Sequence, residues 1–110
     1  MKTYIVKVND FDKFDIIQNC KVEAKQYLMG PDFQSINKAD VLQKLETGNV
    51  NEVVKILKPH FDYMTKEIGE ENIHLSAKTA FELIKRGLGL LHKFDENADT
   101  TEKIFEELQK

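Results

Sequence analysis

Four oxygen-bearing side chains in one short stretch of the sequence have a spacing that could bind a cation. They occupy the first, third, fifth and twelfth positions of DENADTTEKIFE and are Asp95, Asn97, Asp99 and Glu106. Carboxylate and amide oxygens are the ligands that calcium takes in proteins, and a single loop can supply them at this spacing. Calcium binding by residues 95–106 is therefore the first chemistry that the sequence offers.

The same stretch resembles the calcium loop of the EF-hand family, because a helical pattern ends just before it at Phe94 and another, KIFEEL, follows. The resemblance covers the last quarter of the chain and implies a calcium-responsive protein. It departs from the family pattern at Thr100, where the loop uses glycine for its sharp turn. It departs again at Glu102, where an apolar residue normally pairs with a second loop, and no second loop of this kind occurs.

A helix cap explains the same residues more simply. Asp99 and Glu102 have the spacing of a capping box, in which each side chain accepts a hydrogen bond from a backbone amide at the start of a helix. The last helix would then begin near Asp99 or Thr100. Residues 102–106 cannot form both a regular helix and the exit half of a coordinating loop, so the two interpretations exclude each other. We take the cap and predict no metal and no cofactor.

Other reactive residues form no catalytic constellation. Glu71 and His74 have the E-x-x-H spacing that binds one metal in di-iron bundles, but a second pair is missing unless a symmetric dimer supplies it. Cys20 could be a nucleophile with a histidine as its base, yet it lies on the apolar face of a predicted helix, where a thiol is usually a small buried hydrophobe. His60 and His92 have no acid at the spacing of a triad. We therefore predict no catalytic residue and no enzyme activity.

The composition is that of one globular domain. The chain has 110 residues, of which 41% are hydrophobic and 32% charged. A chain of this length buries roughly two thirds of its unfolded surface in a single core. We predict one domain over residues 1–110 that folds without a metal or a disulfide.

The charge pattern argues against nucleic acid as a partner. The net charge is −3, and fifteen lysines are spread along the chain beside one arginine, Arg86. Proteins that bind nucleic acid concentrate positive charge on one face and use arginine for bidentate contacts. The single cysteine gives no sign of an oxidising compartment, and no apolar run has the length of a signal-peptide core or a membrane span. We expect a soluble, cytoplasmic protein with no membrane partner.

The alternating pattern KTYIVKV predicts a β-strand over residues 2–8, with Tyr4 and Val6 on it. An isolated strand leaves its backbone donors and acceptors unpaired. Its partner must be residues 33–36, residues 72–75 or the same strand in a second copy, which would make the protein a homodimer.

Helical spacing of apolar residues predicts about five helices after the strand. One spans residues 11–29 and stops at the Gly-Pro pair of residues 30–31, and Asn37 caps the next, which Gly48 closes. Residues 31–36 suit either a helical turn or a short strand. Pro59 interrupts the apolar stripe between residues 48 and 69, which predicts a kinked helix or two short ones.

Two glycines lie inside the helix that Ser76 is predicted to cap. Gly87 and Gly89 would each cost about 1 kcal/mol relative to alanine in a helix interior. Their presence predicts a break at Gly87, a close crossing by another helix, or a hinge where the backbone approaches a ligand.

These patterns together predict a mainly α protein, formally α+β with a minor β element. It consists of an N-terminal β-strand followed by a compact bundle of about five helices. By exclusion, the expected function is non-catalytic binding of another protein or of a second copy, as a regulator, adaptor, inhibitor or assembly factor. The expected interaction residues are Tyr4, Val6, Glu102, Glu106 and Glu107.

Two alternatives stay open at this point. The first is a calcium- or metal-responsive protein that uses residues 95–106. The second is a small-ligand-binding protein or enzyme with a pocket near Gly87 and Gly89.

Overall fold

The computed structural model describes residues 18–68 and 74–110, and these residues are mainly helical. They form seven α-helices and one π-helical turn, and no strand occurs within these two ranges. The predicted mainly α class is confirmed, whereas the expectation of about five helices is corrected to seven. The predicted strand with Tyr4 and Val6 lies outside the described residues.

The first two helices meet at the Gly-Pro pair. Helix α1 covers residues 18–29, and α2 covers Pro31–Gln34. Gly30 precedes α2, and Pro31 takes its first position, where the missing N–H would have no helical partner in any case. The predicted stop of the first helix is thus confirmed, and residues 31–34 are the helical turn rather than a strand. Phe33 of α2 is fully buried.

Helix α3, Lys38–Glu46, has the predicted cap at its start. The side chain of Asn37 accepts a hydrogen bond from the backbone N–H of Asp40 at 3.1 Å. After α3 the chain turns through Gly48 into α4, Val50–Asp62. Both ends of α3 therefore lie where the sequence predicts them.

Helix α4 continues through Pro59 without dividing, so of the two predicted alternatives the pair of short helices is wrong. The buried face of α4, with Val53, Leu57 and Phe61, packs into the core on both sides of the proline. A π-helical turn, Tyr63–Glu67, follows directly. There the N–H of Ile68 donates to the carbonyl of Tyr63, five residues earlier, at 3.0 Å.

The remaining helices are α5, Ala77–Leu88; α6, Leu91–Glu96; and α7, Ala98–Leu108. The hydroxyl of Ser76 accepts a hydrogen bond from the N–H of Thr79 at 3.2 Å, which confirms the predicted cap of α5. Gly89 ends α5 with a φ of 71°, in the left-handed region that favours glycine. The turn at Gly89 separates α5 from α6.

Gly87 lies inside α5 at a close crossing, as one of the three alternatives predicts. A Cβ at this position would lie 3.1 Å from Leu28 Cδ2 of α1 and 3.1 Å from Phe33 Cε2 of α2. The helix does not break there. Glycine lets α1 and α2 approach α5 closely, and the space beside it is filled by the chain's own side chains.

One hydrophobic core joins all seven helices, and α4 lies at its centre in contact with α3, α5 and α7. The ammonium of Lys58 on α4 donates to the carbonyl of Leu108 at 2.6 Å, so it binds the carboxyl end of α7. No helix in the described residues combines the length and apolar character needed to cross a membrane. The largest fully buried side chains are Phe33, Phe94, Leu45, Leu57, Met64, Ile68, Ile84, Ile104 and Leu108.

Candidate functional site

An open groove of about 340 Å³ lies between α5, α6 and α7. The turn at Gly89 and the single residue Asn97 between α6 and α7 fold these three helices against each other. The hydroxyl of Thr101 donates to the carbonyl of Phe94 at 2.7 Å and ties α7 to α6 at the groove. The lining residues are Lys78, Phe81, Glu82, Lys85, Phe94, Asp95, Ala98, Thr101, Glu102 and Phe105.

The floor of the groove is aromatic. Phe81 stacks on Phe105 with ring centroids 5.2 Å apart, and it meets Phe94 edge-on at 5.8 Å. Phe94 is fully buried, Phe81 is 5% exposed and Phe105 is half-buried. These offset and edge-on arrangements are the ones that aromatic pairs prefer. The floor is therefore a fixed apolar surface that opens to solvent on the Phe105 side.

Lys85 is the one charged residue buried among the described residues. Its Nζ lies 4.8 Å from the centroid of the Phe81 ring and 3.3 Å from Glu82 Oε2. The ring face and the carboxylate together compensate an ammonium that has lost most of its water. Lys85 therefore has partners within α5 and holds the Phe81 ring in place.

The rim of the groove on the side of α6 and α7 is acidic. Four exposed carboxylates lie there, and we name them the acidic edge: Asp95, Asp99, Glu102 and Glu106. Two of them line the groove itself, and three, at helical spacing on α7, share a surface depression with Lys103. No ion pair or side-chain hydrogen bond joins any of the four to another described residue.

The predicted interaction residues of the last helix divide between two environments. Glu102 and Glu106 belong to the acidic edge. Glu107 instead forms an ion pair with Lys110, whose Nζ lies 2.5 Å from Glu107 Oε2. Hydrogen bonding to this carboxylate raises the pKa of Lys110. Glu107 is thus paired within the chain, unlike the other two.

The stretch that resembles an EF-hand loop is helical. Asp95 lies in the last turn of α6, and residues 98–106 lie in α7. A coordinating loop must curl round its ion, whereas a helix spreads these carboxylates along its length. No cluster of three or more His, Cys, Asp or Glu side chains that could hold a metal ion occurs in residues 18–68 and 74–110.

The predicted capping box at Asp99 and Glu102 is also wrong. Helix α7 begins at Ala98, one residue before Asp99, and Asn97 occupies the cap position without a capping hydrogen bond. The Asn97 amide donates instead to the carbonyl of Lys93 at 2.8 Å, at the end of α6. A single residue connects the two helices, so Asp99 is already in the first turn.

The other candidate residues are dispersed. Cys20 is 1% exposed and packs as the small buried side chain that its apolar face predicts. His74 Nδ1 hydrogen-bonds the carbonyl of Ile68 at 2.6 Å, while Glu71 of the E-x-x-H pair lies outside the described residues. His92 is exposed on α6.

A second polar group lies where α1 meets α4. Tyr27 Oη and His60 Nδ1 share a hydrogen bond of 2.7 Å. The ring of Tyr63 stacks on Tyr27 with centroids 4.3 Å apart, and Phe33 meets His60 edge-on at 5.2 Å. Burial lowers the pKa of His60, with Asp32 acting in the opposite direction. Burial also raises the pKa of Tyr27, so burial favours the neutral form of both groups.

The sequence patterns place the three rings of the floor in predicted helices without relating them. Phe81 lies in the apolar stripe of the helix predicted after Ser76, Phe94 ends a predicted helical pattern, and Phe105 lies in the predicted last helix. Residue spacing along one helix does not reveal which rings of different helices meet. The one local signal is Lys85, a charged residue one turn after Phe81 on a face that is otherwise apolar.

Comparison of the chain with protein-family models, with curated proteins and with solved structures gives no significant match.

Proposed function

We propose that this chain is a non-catalytic, cytoplasmic protein-binding module whose groove between α5, α6 and α7 receives an apolar side chain of a partner protein. The observation that carries the proposal is the aromatic floor of Phe81, Phe94 and Phe105, which opens to solvent at Phe105, in a groove of about 340 Å³. The single cysteine and the absence of clustered catalytic groups in the sequence support the same class of function.

Energetics favour an apolar anchor from another protein in this groove. Burying one Leu or Phe side chain contributes about 1.5–3 kcal/mol, and interface energy concentrates in a few such anchors seated in pockets. Because the Phe81 and Phe94 rings are already packed in the core, the groove needs no rearrangement to receive one.

Filling the groove tests this function. Ala98 is exposed and lines the groove, so Ala98→Phe would occupy it without removing a core side chain. Gln26→Phe, on the exposed face of α1, adds the same ring elsewhere and is the matched control. We expect a partner captured from source-cell lysate by the original chain and by Gln26→Phe to be depleted about tenfold or more with Ala98→Phe.

Equal recovery of every bound protein by Ala98→Phe would contradict the proposal. A metabolite that raises the melting temperature of the original chain but not of Ala98→Phe would reassign the groove to a small ligand.

A second copy of the chain is the other proposed partner, through the strand that the sequence predicts over residues 2–8. Val6→Pro would remove a ladder donor from that strand and should convert a dimer to a monomer. The mass in solution checks this, and an unchanged mass would contradict strand pairing.

A further inference from the structure

The acidic edge defines the kind of segment that fits the groove, and this inference rests on the proposed function. We propose that the partner presents a basic segment: an apolar anchor for the groove, with Lys or Arg side chains within about one helical turn that pair with the acidic edge.

The acidic edge differs from the other described acids of α5, α6 and α7, which are all paired. The remaining acids of α5, α6 and α7 each have a basic residue within 4 Å: Glu82 has Lys85 and Arg86, Glu96 has Lys93, and Glu107 has Lys110. The four carboxylates of the acidic edge have no such partner among the described residues. Lys110 is near enough to Glu106 for that carboxylate to help raise its pKa, but Lys110 is itself paired with Glu107. The charge of the acidic edge is therefore available to another molecule.

Position connects this charge to the groove. Asp95 and Glu102 line the groove itself, so they lie beside any side chain seated on the Phe105 ring. Glu106 lies one turn further along α7, about 6 Å from Glu102 along the helix axis. A partner with two basic residues at a similar separation can reach both while its anchor stays in the groove.

The lysines near the groove do not cancel the attraction of the acidic edge for a basic partner. Lys85 is buried against Phe81 and engaged with Glu82. Lys103 shares the depression with Asp99, Glu102 and Glu106, but it comes within ion-pair distance of none of them. Lys78 lies on α5, on the opposite side of the groove.

Exposed ion pairs contribute modestly to affinity, but they orient a partner and speed its association, and salt screens them. Binding should therefore depend on the groove for most of its strength and on the acidic edge for its sequence preference. An acidic segment with the same anchor should be rejected.

The test is a selection of random peptides displayed on phage, carried out on the original chain and on Ala98→Phe in parallel. Peptides that bind the original chain and not Ala98→Phe are groove-dependent. We expect them to share an apolar residue with an excess of Lys or Arg within four positions. Synthetic copies should bind more weakly as salt increases.

Charge variants then measure how much the acidic edge contributes to the affinity for a peptide. Glu102→Gln/Glu106→Gln should weaken a selected peptide about threefold to tenfold. Glu23→Gln/Glu67→Gln, which removes the same charge from exposed positions away from the groove, should leave its affinity unchanged.

The outcomes separate the two proposals. Groove-dependent peptides without a basic excess, or with undiminished affinity for Glu102→Gln/Glu106→Gln, would overturn the basic segment while the proposed function stands. Failure to recover any groove-dependent peptide would overturn both.

Discussion

Single residues of this chain have roles that depend on their surroundings in the folded structure. Lys85 interrupts an apolar stripe, yet it is buried because the Phe81 ring and Glu82 compensate its charge. Gly87 and Gly89 are alike in the sequence but differ in the structure: one allows a close crossing and the other ends a helix. The residue type alone does not predict which glycine has which role.

Replacing Gly89 should destabilise the protein through its backbone. Gly89 has a φ of 71° and open space around it, so Gly89→Ala introduces no clash but forces an L-residue into the left-handed region. We expect the free energy of unfolding to fall by about 1 kcal/mol, measured by urea denaturation. Gly89→Asn, which tolerates this region better, is the control and should lose less. Equal stability of all three proteins would contradict the assigned turn.

The partly buried imidazole of His60 should make stability depend on pH. Burial lowers its pKa in the folded protein below the ordinary 6.5, so the unfolded chain binds the extra proton. The stability that the protein gains from the neutral imidazole of His60 is complete above about pH 6.5. It is lost as the pH falls through the pKa of His60 in the folded protein.

Two measurements check the His60 prediction. Nuclear magnetic resonance should show the ring titrating below 6.5, and urea denaturation should show the loss of stability over the same range of pH. Asp32→Asn removes the charge that opposes the shift, so it should lower the pKa of His60 further. A pKa at or above 6.5 in the original chain would be contrary to the structure.

At the scale of elements, the sequence predicts most helices and misses the short connections. Asn37, Gly48 and Ser76 lie at helix ends as their local chemistry predicts. Pro59 fails to divide α4, because the buried side chains on both sides of it pack against the same core. At Asn97 a single residue separates two helices, and a capping pattern further along the chain is overridden by that tight connection.

Two cap positions can be compared directly. Ser76→Ala removes the hydroxyl that accepts from the N–H of Thr79, so the free energy of unfolding should fall by about 1 kcal/mol. Asp99→Ala removes only a carboxylate from the first turn of α7 and should cost a few tenths of a kcal/mol through the helix dipole. Thermal or urea unfolding measures both. If Asp99→Ala lowers the free energy of unfolding as much as Ser76→Ala does, the result would support the capping box at Asp99 and Glu102.

At the scale of the whole molecule, the groove could not be predicted from the sequence. Its floor joins Phe81 to Phe105, and its rim joins α5 to α7, so it exists only once three helices have packed. The sequence predicts apolar faces and an acidic last helix, because both are periodic features of one segment. Which apolar ring stays partly exposed depends on the packing between segments, and periodicity carries no information about that.

Calcium should leave the whole molecule unchanged. Since residues 98–106 are helical, we expect the same melting temperature in excess calcium and in chelator. Asp95→Ala and Glu106→Ala should not alter this result. A calcium-dependent rise in melting temperature that either substitution abolishes would show that the stretch rearranges into a binding loop.

The stacked pair of Tyr27 and Tyr63 gives the chain an optical signal of its own. The sequence contains no tryptophan and three tyrosines, so its intrinsic emission comes mainly from phenol rings. Two of these rings lie 4.3 Å apart, and one of them is hydrogen-bonded to an imidazole, an arrangement that quenches an excited phenol. Separation of α1 from α4 and from the π-helical turn that follows it should therefore increase the tyrosine fluorescence, and folding of this junction can be followed without any added label.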